Sequence, residues 1–416
     1  MSFQQGLSGL NAASKSLEAI GNNVANANTV GFKQSQVQFS DIYASTLSGS
    51  GAAQIGIGTQ IARVAQLFSQ GNITASNNPL DMAINGDGFF RMSSGGTITY
   101  ARNGQFELTK EGYIQSASGA RLTGYMADAN GVVAIGAPTE IIINKADLAP
   151  KATTKYDLKL TLDSRKDPLV EANFNPDDPA TFSDSTSVPV YDSLGNSHVL
   201  RTFYVKTAGG QWSVFATNDG VPIGYTLPTG PGNPPVPLGT MQFGTGGVLT
   251  GTTPSPLVAS MAVTTGAVTP FNISIDHAGT QQFAQAFGVS RQLPDGYKAG
   301  TLTGFDVAND GSIIGRYSNG QVNVLGQVIL SRFANPNGLQ NIGDNQWVET
   351  AESGVPLTST PGSSGLGAVQ SARVEESNVD LTAELVNMIT AQRYYQANAQ
   401  TIKTQDQIMQ TLVNLR

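Results

Sequence analysis

Leu381-Thr382-Ala383-Glu384-Leu385-Val386-Asn387-Met388-Ile389-Thr390-Ala391-Gln392-Arg393-Tyr394-Tyr395 opens a stretch that reaches Leu415 with neither Gly nor Pro. Apolar residues recur seven apart along it, at Leu381, Met388, Tyr395, Ile402 and Met409. A second row, Leu385, Ala399 and Val413, is interrupted by Gln392 and Asp406, and Leu412 is a further interface candidate near the end. This period lays an apolar stripe along one side of a helix, as in a coiled-coil seam. The intervening Ala, Gln, Met and Lys are good helix formers. Ser377, Asn378 and Asp380 stand ahead of it as candidate N-caps. At 1.5 Å per residue such a helix is roughly 50 Å long, and its stripe requires a partner.

The other end of the chain offers one. Phe3, Leu10, Leu17 and Val24 also fall seven apart, with Leu7, Ala13 and Ile20 on the same side. A helix of this length is marginal alone in water. Two arrangements satisfy both stripes: a compact intramolecular bundle, or terminal helices that pair with each other and with those of neighbouring subunits.

Between the ends the pattern is β. A helix over residues 1 to about 24 gives way to an Asn-rich connector, Ala25 to Lys33. Residues 34–71 show no sustained period and read as extended segments mixed with short helix. From Asn72 onward, alternating runs are separated by Asx-Gly pairs at 85–86, 87–88, 103–104, 130–131, 295–296, 310–311, 319–320 and 337–338. Such pairs tolerate the positive φ of two-residue hairpin turns. Tyr156, Leu158, Leu160 and Leu162 open a further strand-rich block, which includes the Pro/Gly-rich loop Thr229–Pro235. The reading is therefore mainly β with long terminal α-helices. Residues 1–71 and 360–416 form a helical core domain, and 72–145 with 280–359 a discontinuous middle β domain. Residues 146–279 form an inserted antiparallel β domain.

Composition narrows the function. With 416 residues, a net charge of −7 and only 13 % charged residues, the chain offers no basic patch for nucleic acid. It has no apolar run long enough to span a bilayer, and its first residues lack the basic and apolar regions of a cleavable signal. The absence of cysteine removes disulfides and thiol chemistry. It fits a cytosolic protein, and equally one that leaves the cell unfolded.

No catalytic constellation emerges. His198 and His277 lie in strand contexts with no nucleophile motif nearby, where a lone His is usually structural. The Gly-rich segments lack a phosphate-binding Lys, and the Asp-Gly loops lack the spaced carboxylates that calcium needs. Asp177 and Asp178 are adjacent on a Pro-flanked loop, unsuited to paired acid–base work. No catalytic, cofactor-binding or metal-binding residues are assigned.

Several motifs resemble the bacterial flagellar rod and hook axial protein family. At the N-terminus these are Gly6-Leu7-Ser8-Gly9-Leu10-Asn11-Ala12-Ala13, Ile20-Gly21-Asn22-Asn23-Val24-Ala25-Asn26 and Thr29-Val30-Gly31-Phe32-Lys33. At the C-terminus they are Glu376-Ser377-Asn378-Val379-Asp380-Leu381 and Ala391-Gln392-Arg393-Tyr394-Tyr395-Gln396-Ala397-Asn398. Gly86-Asp87-Gly88-Phe89-Phe90 and Tyr100-Ala101-Arg102-Asn103-Gly104-Gln105-Phe106 agree as well. The inserted block favours a hook-type member over the shorter distal rod proteins. The resemblance implies an extracellular tube, in the flagellum, that acts as a universal joint between rod and filament. It implies a helical homopolymer, with terminal helices lining the core and the insert outermost. Its implied partners are copies of itself, rod and hook–filament junction proteins, a hook cap and the flagellar type III export apparatus. The interface residues expected on this basis are Phe3, Leu7, Leu10, Leu17, Ile20, Val24, Leu381, Leu385, Met388, Tyr395, Ile402, Met409 and Leu412. The competing readings are a distal rod-type protein and a secreted β-rich adhesin with oligomerising helices.

Overall fold

The computed structural model describes residues 2–42, 56–224 and 234–414, without the side chains of Ser2, Leu412 and Asn414. Two long helices close the chain, α1 (Ser2–Ala25) and α2 (Leu381–Asn414), and β-strands fill the interval. Asp380 caps α2: its Oδ1 accepts from Thr382 N at 2.9 Å and Ala383 N at 3.1 Å.

The chain divides into two compact units. The first comprises residues 1–145, 304–316 and 322–416, and the second 146–303 and 317–321. The second unit therefore extends beyond the boundary at 279 that the sequence suggested. Gln281–Phe283 and Gly288–Pro294 both pair with Lys155–Asp163, which ties them to the inserted block.

In the first unit, residues 34–71 hold no helix among those described. They form a hairpin of β1 (Ser35–Ile42) and β2 (Gly58–Gln66), antiparallel with a register shift at Gln38/Phe39. Residues 43–55 lie outside the described set. The β-branched residues Val37, Ile42, Ile61 and Val64 favour the extended state over the weak helical cues. A larger sheet runs Val322–Val328, Arg121–Met126, Phe89–Ser94, Thr97–Ala101, Gln346–Val348, Gln340–Gly343. Phe89, Tyr100, Phe333 and Trp347 are buried on it in edge-to-face contact, and Phe68 joins them 5.4 Å from Phe89. Trp347 Nε1 donates to Gln66 Oε1 at 2.6 Å, fixing the end of β2.

The second unit has two sheets around one core. One runs Leu257–Met261, Phe271–Asp276, Lys155–Asp163, Gln281–Phe283; the other runs Asp184–Tyr191, Ser197–Ala208, Gln211–Asn218, Gly239–Phe243, Leu249–Thr253. Lys155–Asp163 lies parallel to Phe271–Asp276 and to Gln281–Phe283, so this block departs from the purely antiparallel expectation. The alternation of Tyr156, Leu158, Leu160 and Leu162 is a one-faced strand, and all four are buried against Trp212, Val214, Met241 and Ile273. Gln211–Asn218 is instead covered on both faces. Phe215 stacks on Phe174 at 4.1 Å on the side away from that core.

The Asx-Gly pairs do not all close hairpin turns. Gly131, Gly311 and Gly320 have φ near 80° and close turns back to Asp128, Ala308 and Tyr317. Asn103-Gly104 is a close approach, not a hairpin turn: a Cβ on Gly104 would sit 1.7 Å from Met82 O. Asn337-Gly338 ends a short 3-10 turn. The loop Thr229–Pro235 falls largely outside the described residues.

Candidate assembly interface

α1 and α2 run antiparallel, with Gly6 opposite Ile402 and Gly9 opposite Asn398. A Cβ on Gly9 would lie 2.6 Å from Asn398 Oδ1, and one on Gly6 would lie 3.0 Å from Ile402 Cγ1. Glycine lets the two backbones approach closely here. Ala13 is buried on the same face.

Ile402 faces Gly6 of α1, and it and Met388 are partly covered, whereas Leu381, Tyr395 and Met409 of the same row are exposed. The second row differs from expectation. Glu384, Ala391, Asn398 and Gln405, also seven apart, take the buried side, whereas Leu385 is 45 % exposed. A reading by hydropathy misses this row because three of its four residues are polar. Small residues opposite, and a hydrogen bond from Gln34 Nε2 to Glu384 Oε1, make those polar residues acceptable.

α2 is ten residues longer than α1, 34 against 24. With Gly6 opposite Ile402, the start of α1 lies near residue 406 of α2, and Met409 and Val413 continue the seam past it. They are 61 % and 70 % exposed. Leu381, Val386, Ile389 and Tyr395 are exposed as well, as are Phe3 and Leu7 on α1. Leu10, Leu17, Ile20 and Val24 are half-buried. The side chain of Leu412 lies outside the described residues.

Beyond the helices, the connector is welded to the C-terminal return. Asn23, buried near the end of α1, donates Nδ2 to Ser35 O and accepts from Ser35 N, both at 2.9 Å. Asn378 Oδ1 accepts from Gln34 N at 2.8 Å while its Nδ2 donates to Leu67 O at 2.7 Å. Lys33 Nζ donates to Glu375 Oε1 at 2.7 Å, and Arg102 Nη1 lies 3.4 Å from Glu375 Oε2; all three side chains are buried. Burial above all pushes the Lys33 ammonium below its ordinary range, with Arg102 adding to that and Glu375 opposing it. Burial likewise lowers Arg102. Gly31, at φ 73°, could not be another residue, since a Cβ would lie 2.4 Å from Asn103 N. The motifs that carried the family resemblance are thus physical joints between chain segments some 340 residues apart.

Both histidines are buried within the second unit. His198 Nδ1 lies 2.7 Å from Asp219 Oδ2 and Nε2 3.4 Å from Asp192 Oδ2. His277 is buried beside Tyr204, and burial lowers it to about 4.

Family models match in four places. Residues 3–33 match the flagella basal body rod protein, 83–154 the flagellar hook protein FlgE/F/G D1 domain, 161–297 the flagellar basal body protein FlaE D2 domain, and 370–415 the flagellar basal body rod FlgEFG protein C-terminal. Over 423 residues the chain is 40 % identical to the flagellar hook protein FlgE of Salmonella typhimurium, covering 100 % of each. The chain belongs to the flagellar hook protein family. The hook protein of Escherichia coli is 39 % identical over 422 residues and that of Borreliella burgdorferi 31 % over 439, in each case across 100 % of this chain and 100 % and 99 % of the relative. A crystal structure of Helicobacter pylori flagellar hook protein FlgE2 shares the fold, at TM-score 0.53 and 13 % identity, over 73 % of this chain and 100 % of that one. Mainly β architecture between two terminal helices is accordingly the fold of a hook-family protein, which is a structural component of the bacterial flagellum.

Proposed function

We propose that this chain is the subunit of the flagellar hook, polymerising into a curved, bendable tube outside the cell that transmits torque from rod to filament. What carries the reading is the apolar material that α1 leaves uncovered on α2. Leu381, Leu385, Ile389, Met409 and Val413 are exposed in the single subunit, more than a stable lone helix pair would leave in water. Neighbouring copies of the same helices cover them in a tube whose wall is the α1–α2 layer.

The proposed tube has three layers. The helices with the 34–71 hairpin form the core, the sheet of the first unit forms the middle, and the second unit forms the outside. The core seam stays fixed while the outer layer shifts against its copies as the tube turns. The interface residues assigned from the sequence, Phe3, Leu7, Leu10, Leu17, Ile20, Val24, Leu381, Leu385, Met388, Tyr395, Ile402, Met409 and Leu412, belong to the core layer. Rod and junction proteins, a cap and the type III export apparatus are the partners such a tube requires. Electron microscopy of the purified, concentrated full chain tests the proposal. Tubes are expected, and discrete soluble particles at every concentration would refute it.

A further inference from the structure

Five of the Asx-Gly pairs are Asn-Gly, at 85–86, 103–104, 130–131, 319–320 and 337–338. Such a pair carries a reaction of its own. The glycine nitrogen, once it has lost its proton to water or hydroxide, attacks the Asn Cγ, and no glycine side chain stands in the way. The N–Cγ bond forms, the Cγ–Nδ2 bond breaks, and ammonia leaves a cyclic imide. Water then opens the ring at either carbonyl, giving Asp or isoAsp, in which the main chain runs through Cγ. One water is consumed, one ammonia is released, and a neutral amide becomes a carboxylate. The attack needs a side chain free to swing and a peptide that can leave its native conformation, so its rate follows local opening.

Four of the pairs are held by other parts of the fold. Asn103 Oδ1 accepts from Gln105 N at 3.0 Å, and Gly104 is buried against Met82 O. Asn319 uses both ends of its amide: Oδ1 accepts from Gln321 N at 3.0 Å and Nδ2 donates to Lys298 O at 2.7 Å. Asn85 and Asn337 have exposed side chains, but their peptides are pinned. Asn85 pairs with Ala368, and Gly86 donates N to Gln70 Oε1 at 3.0 Å and accepts at O from Arg102 Nη1 at 2.9 Å. Gly338 O accepts from Thr350 Oγ1 at 2.6 Å, and a Cβ on Gly338 would lie 2.5 Å from the Glu352 backbone.

Asn130-Gly131 differs. It stands at the tip of the loop after Arg121–Met126, where Asp128, Ala129, Asn130 and Val132 are exposed. The Asn130 side chain makes no hydrogen bond among the described residues. The tip is shaped from within, by Asp128. Its O accepts from Gly131 N at 3.0 Å, and its Oδ1 accepts from Asn130 N at 2.9 Å and Val132 N at 2.8 Å. The tie to the neighbouring strand is a long one, Asn323 Nδ2 to Ala129 O at 3.5 Å. Opening 128–132 therefore breaks no strand pairing, which stops at the Ala127–Val133 bridge. We propose that Asn130 is the self-modification site of this chain, converting to Asp and isoAsp while the other four Asn-Gly pairs persist. The product carboxylate lies beside that of Asp128, and the longer isoAsp main chain no longer fits both bonds to Asp128 Oδ1, so the tip loosens once modified. This goes beyond the role of a tube subunit, and its test needs no polymer.

Peptide mapping by mass spectrometry of the full chain, kept folded at mildly alkaline pH, reads Asp and isoAsp at the five positions over time. Asn130 is expected to convert at least about ten-fold faster than any of the other four. In denaturant, where every pair is open, the five rates should converge. Asp128→Ala, which frees Asn130 N and Val132 N, should speed conversion at 130 several-fold and leave the other four unchanged. Another pair converting as fast as Asn130 in the folded chain would overturn the proposal. So would the same ranking in denaturant, or an unchanged rate at 130 in Asp128→Ala. The comparison within the unaltered chain decides the matter even if that variant is poorly folded.

Discussion

Replacing Leu385 and Met409 with Ser should abolish assembly at concentrations where the unaltered chain polymerises, and leave the subunit folded. Leu385 is 45 % and Met409 61 % exposed, so about half of each side chain remains to be covered by a neighbour. Fully burying such a side chain is worth about 1.5–3 kcal/mol, which makes the uncovered half worth about 1 kcal/mol. Two sites together give about 2 kcal/mol per added subunit, or roughly 30-fold in the concentration needed for growth. In the monomer the same changes touch exposed surface and should alter stability by no more than about 0.5 kcal/mol. Sedimentation of polymer across a concentration series reads the first number, and chemical denaturation reads the second. Growth at the unaltered threshold would refute the reasoning, and so would a monomer destabilised by several kcal/mol.

Other consequences follow from particular residues. Gly31→Ala places a Cβ against the backbone of Asn103 at positive φ, so hydrogen exchange in residues 26–36 should rise by at least about ten-fold. His277 is lowered to about 4 from an ordinary 6.5, so the unfolded chain takes up its proton first as pH falls. Its contribution is fully present above about 6.5 and is lost between 6.5 and 4, by about 3 kcal/mol. Denaturation of the second unit should therefore depend less on pH in His277→Gln over that window. Excising 146–303 should leave a chain that still forms tubes. Excising only 146–279 strands Gly288–Pro294 without its partner Lys155–Asp163 and should aggregate, as light scattering would show.

The helices were legible because nothing in 381–414 breaks a helix and Asp380 caps it. Their contact was legible only in part. The first row could be read from Met388 and Ile402. Glu384, Ala391, Asn398 and Gln405 could not, because a seam built on glycine and polar residues carries no hydropathy signal. The hairpin at 35–66 was obscured by its missing alternation, since β2 is exposed over most of its length. The end of the second unit hid behind Ala278-Gly279, which reads as a boundary although the next strand returns to the same sheet. Lys33 and Glu375 each stood in or beside a recognisable motif. Their pairing depends on a fold that brings positions 342 residues apart into contact, which local spacing does not encode.

The central claim is that α1 and α2 form the inner wall of a tube of identical subunits. Cryo-electron microscopy of the assembled full chain tests it most directly, by the radius at which each segment lies. The account predicts both helices at the smallest radius, with Leu385 and Met409 against neighbouring subunits and the second unit outermost. Helices at the outer surface, or Leu385 and Met409 facing solvent in the assembly, would contradict it.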